Sequence, residues 1–216
     1  MKSARTTGDG SERSALDFFP ARISYRSLAA ASKGCMGCDL YKLGTQTVFG
    51  EGKVSAAVMF VGEQPGDEED KTGHPFVGPA GRLFDKALGE AGIDRDAAYV
   101  TNVVKHFKWT PRGKRRIHDK PNAAEIRACA PWLNAEIALV KPKVLVCLGA
   151  TAAQALLGKD FRVSKMRGRW LDAEYAKRVM ATLHPSAILR APDPQARERQ
   201  YREFVGDLTA IAGVLA

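Results

Sequence analysis

Hydrophobic positions along the chain gather into four short runs separated by stretches of helical periodicity. The runs are Val58-Met59-Phe60-Val61, Ala98-Tyr99-Val100-Thr101-Asn102-Val103-Val104, Val144-Leu145-Val146-Cys147-Leu148 and Arg178-Val179-Met180-Ala181-Thr182-Leu183. Short apolar runs dense in β-branched residues mark strands covered on both faces. Between and after them the pattern predicts helices over 82–91 and 122–140, a short Ala-rich helix from Gly149 to near Gly158, and a last amphipathic helix over 194–214. Asn122 suits the N-cap of the second, with Glu125 three residues on as in a capping box, and Lys141-Pro142 breaks it. A short helix at 28–32 should stop at Gly34, residues 161–174 read as irregular, and 105–121 as a basic loop carrying Trp109 and His118. Strands alternating with helices predict an α/β fold: a single three-layer domain with a central, mainly parallel four-stranded sheet flanked by helices.

The first 20 residues are polar and aperiodic. They are expected to be a mobile leader, with 21–216 forming the domain. A chain of 216 residues suits one well-buried domain. No apolar run approaches the roughly 20 residues of a membrane span, and the start shows no secretory pattern. A soluble, cytoplasmic protein without membrane contact is therefore expected. The charge changes the picture: 33 Lys and Arg stand against 24 Asp and Glu, a formal net charge of +9. Lys105, Lys108, Arg112, Lys114, Arg115 and Arg116 crowd into a dozen residues, and such clustering favours a nucleic-acid partner over a merely basic surface.

The first apolar run stops at Gly62 and opens into Glu63-Gln64-Pro65-Gly66-Asp67, continuing to Pro75-Phe76-Val77-Gly78-Pro79-Ala80-Gly81. Open α/β sheets build sites at such strand ends. Gly62 and Gly66 permit close backbone approach, and Glu63 and Asp67 place carboxylates at the lip. The cysteines are a tight pair, Cys35 and Cys38, with distant Cys129 and Cys147. Cys-x-x-Cys in an intracellular chain points to metal or redox chemistry, not disulfides. Zinc and an iron–sulfur cluster both accept four thiolates, and spacing does not choose between them. Packing alone would equally account for Cys129 and Cys147.

Three landmarks, in order, carry a resemblance: Gly62-Glu63-Gln64-Pro65-Gly66 with Pro75-Phe76-Val77-Gly78, the strand end Thr101-Asn102, and His184-Pro185-Ser186 with Arg190. Together with the cysteines they resemble the uracil-DNA glycosylase superfamily, specifically its iron–sulfur family 4 and most closely the X-type members. The resemblance implies a uracil pocket in which Phe76 stacks on the base and Asn102 pairs with its edge, lined also by Gly62, Gln64 and Asp67. A flipped base read in this way is the general solution for enzymes that act on bases. It implies that His184 donates to the uracil carbonyl and that Glu63 supports the sugar cation or the attacking water. Ser186, Ala187 and Arg190 would grip DNA phosphates, as would Lys114, Arg115 and Arg116.

Two departures from ordinary family 4 stand out. Where family 4 commonly continues Val-Lys-Cys-Arg-Pro-Pro, this chain has Val104-Lys105-His106-Phe107-Lys108-Trp109. Gly113-Lys114-Arg115-Arg116-Ile117-His118 is a basic insertion ending in histidine. The resemblance to X-type proteins implies that His118 attacks the anomeric carbon after uracil leaves, joining protein to DNA. The expected function is thus a uracil-DNA glycosylase, trapped on uracil-containing DNA, single strands included. The alternative is a conventional family 4 enzyme that turns over with Glu63-assisted water. A nucleic-acid-binding metal module without catalysis is a third reading. The resemblance also implies a 4Fe-4S cluster held by Cys35, Cys38, Cys129 and Cys147, structural in role, and a monomer. Whether Glu63, Asp67 or Arg116 orients His118 is left open by the sequence.

Overall fold

The computed structural model describes residues 13–215. A 3-10 turn, Ala15–Phe18, precedes helix α1 (Tyr25–Ser32) and a second 3-10 turn at Asp39–Lys42. Strands β1 (Glu51–Gly52) and β2 (Val58–Gly62) lead to helices α2 (Asp67–Thr72) and α3 (Pro79–Glu90), then β3 (Tyr99–Asn102). Next come β4 (Trp109–Arg112), β5 (Arg115–His118), α4 (Ala123–Val140), β6 (Val144–Leu148), α5 (Ala150–Leu157) and α6 (Val163–Met166). Strands β7 (Trp170–Ala173) and β8 (Ala176–Thr182), with helices α7 (Pro185–Leu189) and α8 (Pro194–Leu215), complete the described chain. Among the described residues no helix is long and apolar enough to cross a membrane.

The sheet runs β1-β3-β2-β6-β8-β7. Its inner four strands are the four apolar runs and are parallel throughout, with Gly62 beside Asn102, Val61 beside Cys147 and Leu148 beside Thr182. Two antiparallel edge strands extend the expected four-stranded sheet to six. One of them, β7, lies in the stretch expected to be irregular. Period-two alternation divides the core into two layers. Met59, Val61, Tyr99, Leu145 and Val179 meet Leu28 of α1, Trp132 and Leu133 of α4, and Ala152 of α5. Phe60, Val100, Val146 and Met180 meet Phe84 and Leu88 of α3 and Phe204 and Leu208 of α8.

Two expectations are corrected. Residues 13–20, assigned to a mobile leader, are docked: Ala15 is wholly buried and Phe19 stacks on Trp132 with ring centroids 4.5 Å apart. Residues 1–12 lie outside the described part. The basic loop at 105–121 contains a β-hairpin, β4 paired antiparallel with β5 from Trp109↔His118 to Arg112↔Arg115. Gly113 takes φ 60° at the first central position of its two-residue turn, where type II′ hairpins favour glycine.

Candidate active site

Strands β2, β3, β6 and β8 all end at one edge of the sheet, and their carboxyl ends form the crevice. The ladder continues past β3: Val103 N–H donates to Gly62 O at 2.9 Å and Val104 N–H to Glu63 O at 3.1 Å. Gly62 lies between two pocket side chains, because a Cβ there would collide with the Asn102 amide oxygen and the Phe76 ring tip. Asn102 is 3% exposed and Phe76 6%. Phe76 adopts φ 60°, a left-handed conformation rarely held by an aromatic residue outside functional sites. Gly81 makes this possible, since any Cβ there would strike the Phe76 carbonyl. Glu69 fixes the loop from below, accepting from Gly66 N–H at 3.1 Å and Gly78 N–H at 2.8 Å.

His184 caps α7 and faces the crevice from the end of β8. Its ring stacks toward Phe76 with centroids 6.3 Å apart. Nδ1 accepts from Ser186 N–H at 3.1 Å, so the ring proton resides on Nε2. Burial pushes its pKa down to about 4, against the opposing pull of Glu63. His184 is therefore a neutral imidazole with one N–H to donate. Gly149 backs it, as a Cβ there would press on the His184 Cβ.

Glu63 sits between His118 and helix α5. Its Oε1 lies 3.3 Å from His118 Nε2, and the Thr151 hydroxyl donates to Oε2. Burial opposes ionisation, but the hydrogen bonds from His118 and Thr151 outweigh it and hold the carboxyl below its usual range. The His118 side chain remains 46% exposed, so the imidazole is reachable from the crevice mouth. Of the alternatives for orienting His118, Glu63 is the group in contact.

The hairpin owes its place to two tethers. Gln64 spends its amide on the hairpin base: Nε2 donates to Lys108 O at 3.1 Å and Asp119 O at 3.0 Å, and Oε1 accepts from Lys108 N–H at 3.2 Å. Expected to line the pocket, Gln64 instead clamps both strands' ends, with both of its amide N–H donors spent there. Asp67, also expected in the pocket, pairs with Arg116 Nε at 2.5 Å and with Lys71. Arg116 reaches Asp70 as well, at 2.6 Å, and lies over the rings of Phe107 and Trp109, 5.4 and 5.6 Å from their centroids. Burial disfavours its charge, yet the two aspartates more than compensate and raise its pKa. Arg116, expected on phosphate, is thus an internal anchor. Two residues apart on β5, Arg116 and His118 share one face, so anchoring the first aims the second. Lys114 and Arg115 stay exposed at the turn and Arg190 after α7, free for an anion; the Ser186 hydroxyl is 2.8 Å from His184 Nδ1.

Comparison with known proteins places the chain in a family. Residues 49–209 match the uracil DNA glycosylase superfamily. The chain belongs to the uracil-DNA glycosylase superfamily. It is 43% identical over 159 residues to a type-4 uracil-DNA glycosylase of Thermotoga maritima, covering 73% of this chain and 79% of that one. A type-4 enzyme of Pyrobaculum aerophilum is 38% identical, over 84% of this chain and 89% of its own. A type-5 uracil-DNA glycosylase of Thermus thermophilus is 32% identical over 64% of this chain and 65% of its own.

Within this superfamily member the cysteines divide three and one. Cys35 and Cys38 both act on Cys129, adding to a burial effect that pushes its thiol up to about 12. Trp132 Nε1–H donates to Cys35 Sγ and Lys105 N–H to Cys129 Sγ, each at 3.3 Å. Cys147 stands apart in the middle of β6, between Val61 and Ala181, raised by burial alone. All four thiols are free. No group of three or more His, Cys, Asp or Glu among the described residues forms a ready site for a metal ion. His106 follows Lys105, buried against Gly44, with its pKa lowered to about 4 by burial despite Asp70.

Thr151, Glu69, Asp70 and Asp119 escaped the sequence reading. Thr151 alone carried a signal, two residues beyond the glycine that ends an apolar strand.

Proposed function

We propose that the protein excises uracil from DNA and is then captured on the resulting abasic sugar through His118. Excision is supported by the type-4 relatives and by the convergence of Phe76, Asn102 and His184. Capture rests on one observation: a hairpin tethered at both ends holds His118 Nε2 3.3 Å from Glu63.

Uracil lies against Phe76, and the Asn102 amide offers a donor and an acceptor to its imide edge. Cytosine presents the opposite pattern and would leave the buried amide unpaired, which a polar pocket penalises heavily. The C1′–N1 bond breaks with both electrons going to uracil. The neutral His184 donates Nε2–H to the carbonyl on which that charge collects, and ionised Glu63 faces the cationic sugar. His118 donates its Nε2–H to Glu63, and the carboxylate takes that proton as Nε2 attacks C1′. A new C–N bond forms, the alkylated imidazole is left neutral with its lone pair on Nδ1, and Glu63 passes the proton on to water. Holding the nucleophile beside the cation lets it outcompete solvent.

Cys35, Cys38 and Cys129, with N–H donors on two of their sulfurs, suit a four-iron cluster, which spaces its thiolates more widely than a single ion does. Cys147, implied as a ligand by resemblance, is outside that group. His106 stands where family 4 carries a cysteine, and its buried, neutral imidazole is the candidate for the fourth position. Such a cluster would staple the segment before β1 to α4.

The test is a denaturing gel of protein incubated with a uracil-containing oligonucleotide. A band that survives boiling in detergent is expected, absent with His118→Ala. Its persistence in that variant would remove His118 from the role. Abasic product in many-fold excess over protein, with no shifted band, would establish conventional turnover instead.

A further inference from the structure

Lys105 and Glu136 form an ion pair in the core, 2.5 Å apart with side chains 1% and 0% exposed. The three protons of the ammonium are fully used: they go to Glu136, to Thr101 Oγ1 at 2.6 Å and to the backbone carbonyl of Asn102 at 2.8 Å. Glu136 in turn accepts from Gly50 N–H at 2.8 Å, from the Tyr99 hydroxyl at 3.1 Å and from Thr101. Tyr99 and Thr101 point to the α4 side of the sheet, while Asn102 points to the Phe76 side. The network therefore lies behind the strand end whose front carries the pocket amide.

Stability gives little reason for this arrangement, since apolar residues of similar volume commonly replace buried ion pairs at no loss. Position gives a better one. Past Asn102 the pairing with the β2 side continues through the N–H groups of Val103 and Val104, while the Asn102 carbonyl accepts from the Lys105 ammonium at 2.8 Å. We propose that Lys105, set by Glu136, is a positioning residue: it locks the Asn102 peptide, and with it the angle at which the Asn102 amide meets the base. This rests on the reading of Asn102 as the uracil-pairing group.

The test replaces the pair by neutral groups of similar size, Lys105→Met with Glu136→Gln. The glutamine still accepts from Gly50 and Tyr99 while the donor to Asn102 is lost. Single-turnover uracil release should slow by about ten-fold or more. The melting temperature and the affinity for a matched thymine oligonucleotide should stay close to those of the unsubstituted protein. In an Asn102→Ala background the same pair of substitutions should change the rate less than about two-fold, because the effect passes through Asn102. Release at the unsubstituted rate would overturn the proposal. So would a multiplicative effect in the Asn102→Ala background, or a fall in rate, melting temperature and DNA affinity together. Should the double variant not fold, Lys105→Gln with Glu136→Gln retains amide hydrogen bonding in the core and is read by the same comparisons. If the unsubstituted protein releases no uracil, the reading of the pocket fails; if it does and the variant matches it, only this proposal fails.

Discussion

Gln64→Ala separates making the electrophile from capturing it. The side chain contributes three hydrogen bonds, all to backbone groups of Lys108 and Asp119 flanking the hairpin. At about 1 kcal/mol each, their loss weakens the docking of the hairpin base by about 3 kcal/mol. Arg116 still ties β5 to Asp67 and Asp70, so the hairpin should loosen without detaching. A 3 kcal/mol penalty corresponds to a population shift of about a hundred-fold if the docked state was marginal, and less in proportion to any surplus docking energy. Phe76, Asn102 and His184 are untouched, and uracil release should stay within about three-fold of normal. The covalent fraction should fall, with free abasic DNA appearing in its place. The assay follows released uracil by chromatography and the crosslinked band by denaturing gel from the same samples. A Gln64→Ala protein that crosslinks every oligonucleotide it cleaves would refute the clamp. Equal loss of release and crosslinking would return Gln64 to the pocket.

Three further outcomes follow from the same geometry. Gly62→Ala should abolish uracil release, because the new methyl meets both Asn102 and Phe76; measurable release above about one hundredth of normal in single-turnover assays would show that the pocket yields. His184, at about 4 against an ordinary 6.5, leaves the folded state holding fewer protons than the unfolded state between those values. Stability should therefore be full above pH 6.5 and fall as pH drops toward 4, by as much as ~3 kcal/mol; denaturant titrations of His184→Asn should show a shallower slope by one proton, and an unchanged slope would reject the buried neutral imidazole. If iron is bound through Cys35, Cys38 and Cys129, Cys147→Ala should keep absorbance near 400 nm (roughly the thiolate–iron region) while Cys129→Ala loses it; the reverse pattern would restore Cys147 as a ligand.

Much of the fold was legible because strands covered on both faces cannot avoid being apolar runs. The edge strands left no such trace: β1 is two residues long, and β7 mixes Trp170 and Leu171 with exposed Asp172. The hairpin was hidden for a different reason. Its residues are chosen for charge and chemistry, not alternation, and Pro111 and Gly113 read as loop until Gly113 is seen to make the turn. Of the site, what could be read was residue type; what could not was direction. Gln64 and Asp67 sit in the right loop yet turn away from the pocket, one to backbone, the other to a guanidinium. Thr151 and Lys105 act only because β6 and β3 end side by side with β2, a fact of strand order and not of local pattern.

Electrostatics explains why the anchoring of Arg116 takes two carboxylates. Breaking the glycosidic bond gathers positive charge on the sugar, and a basic hairpin beside it would oppose the reaction. An unpaired charge roughly 8 Å from the cation would cost about 2 kcal/mol at an effective dielectric of 20, or about thirty-fold in rate. Asp67 and Asp70 together balance Arg116 and Lys71, and Glu63 adds a negative charge at the centre itself. Lys114 and Arg115 keep their charge, but at the exposed turn, where water and DNA phosphates screen it. The hairpin can therefore be basic where it meets DNA and close to neutral or negative where it meets the sugar. Replacing Asp70 by Asn would break that division without moving any group of the pocket, and the bond-breaking step, not base recognition, is where the loss should appear.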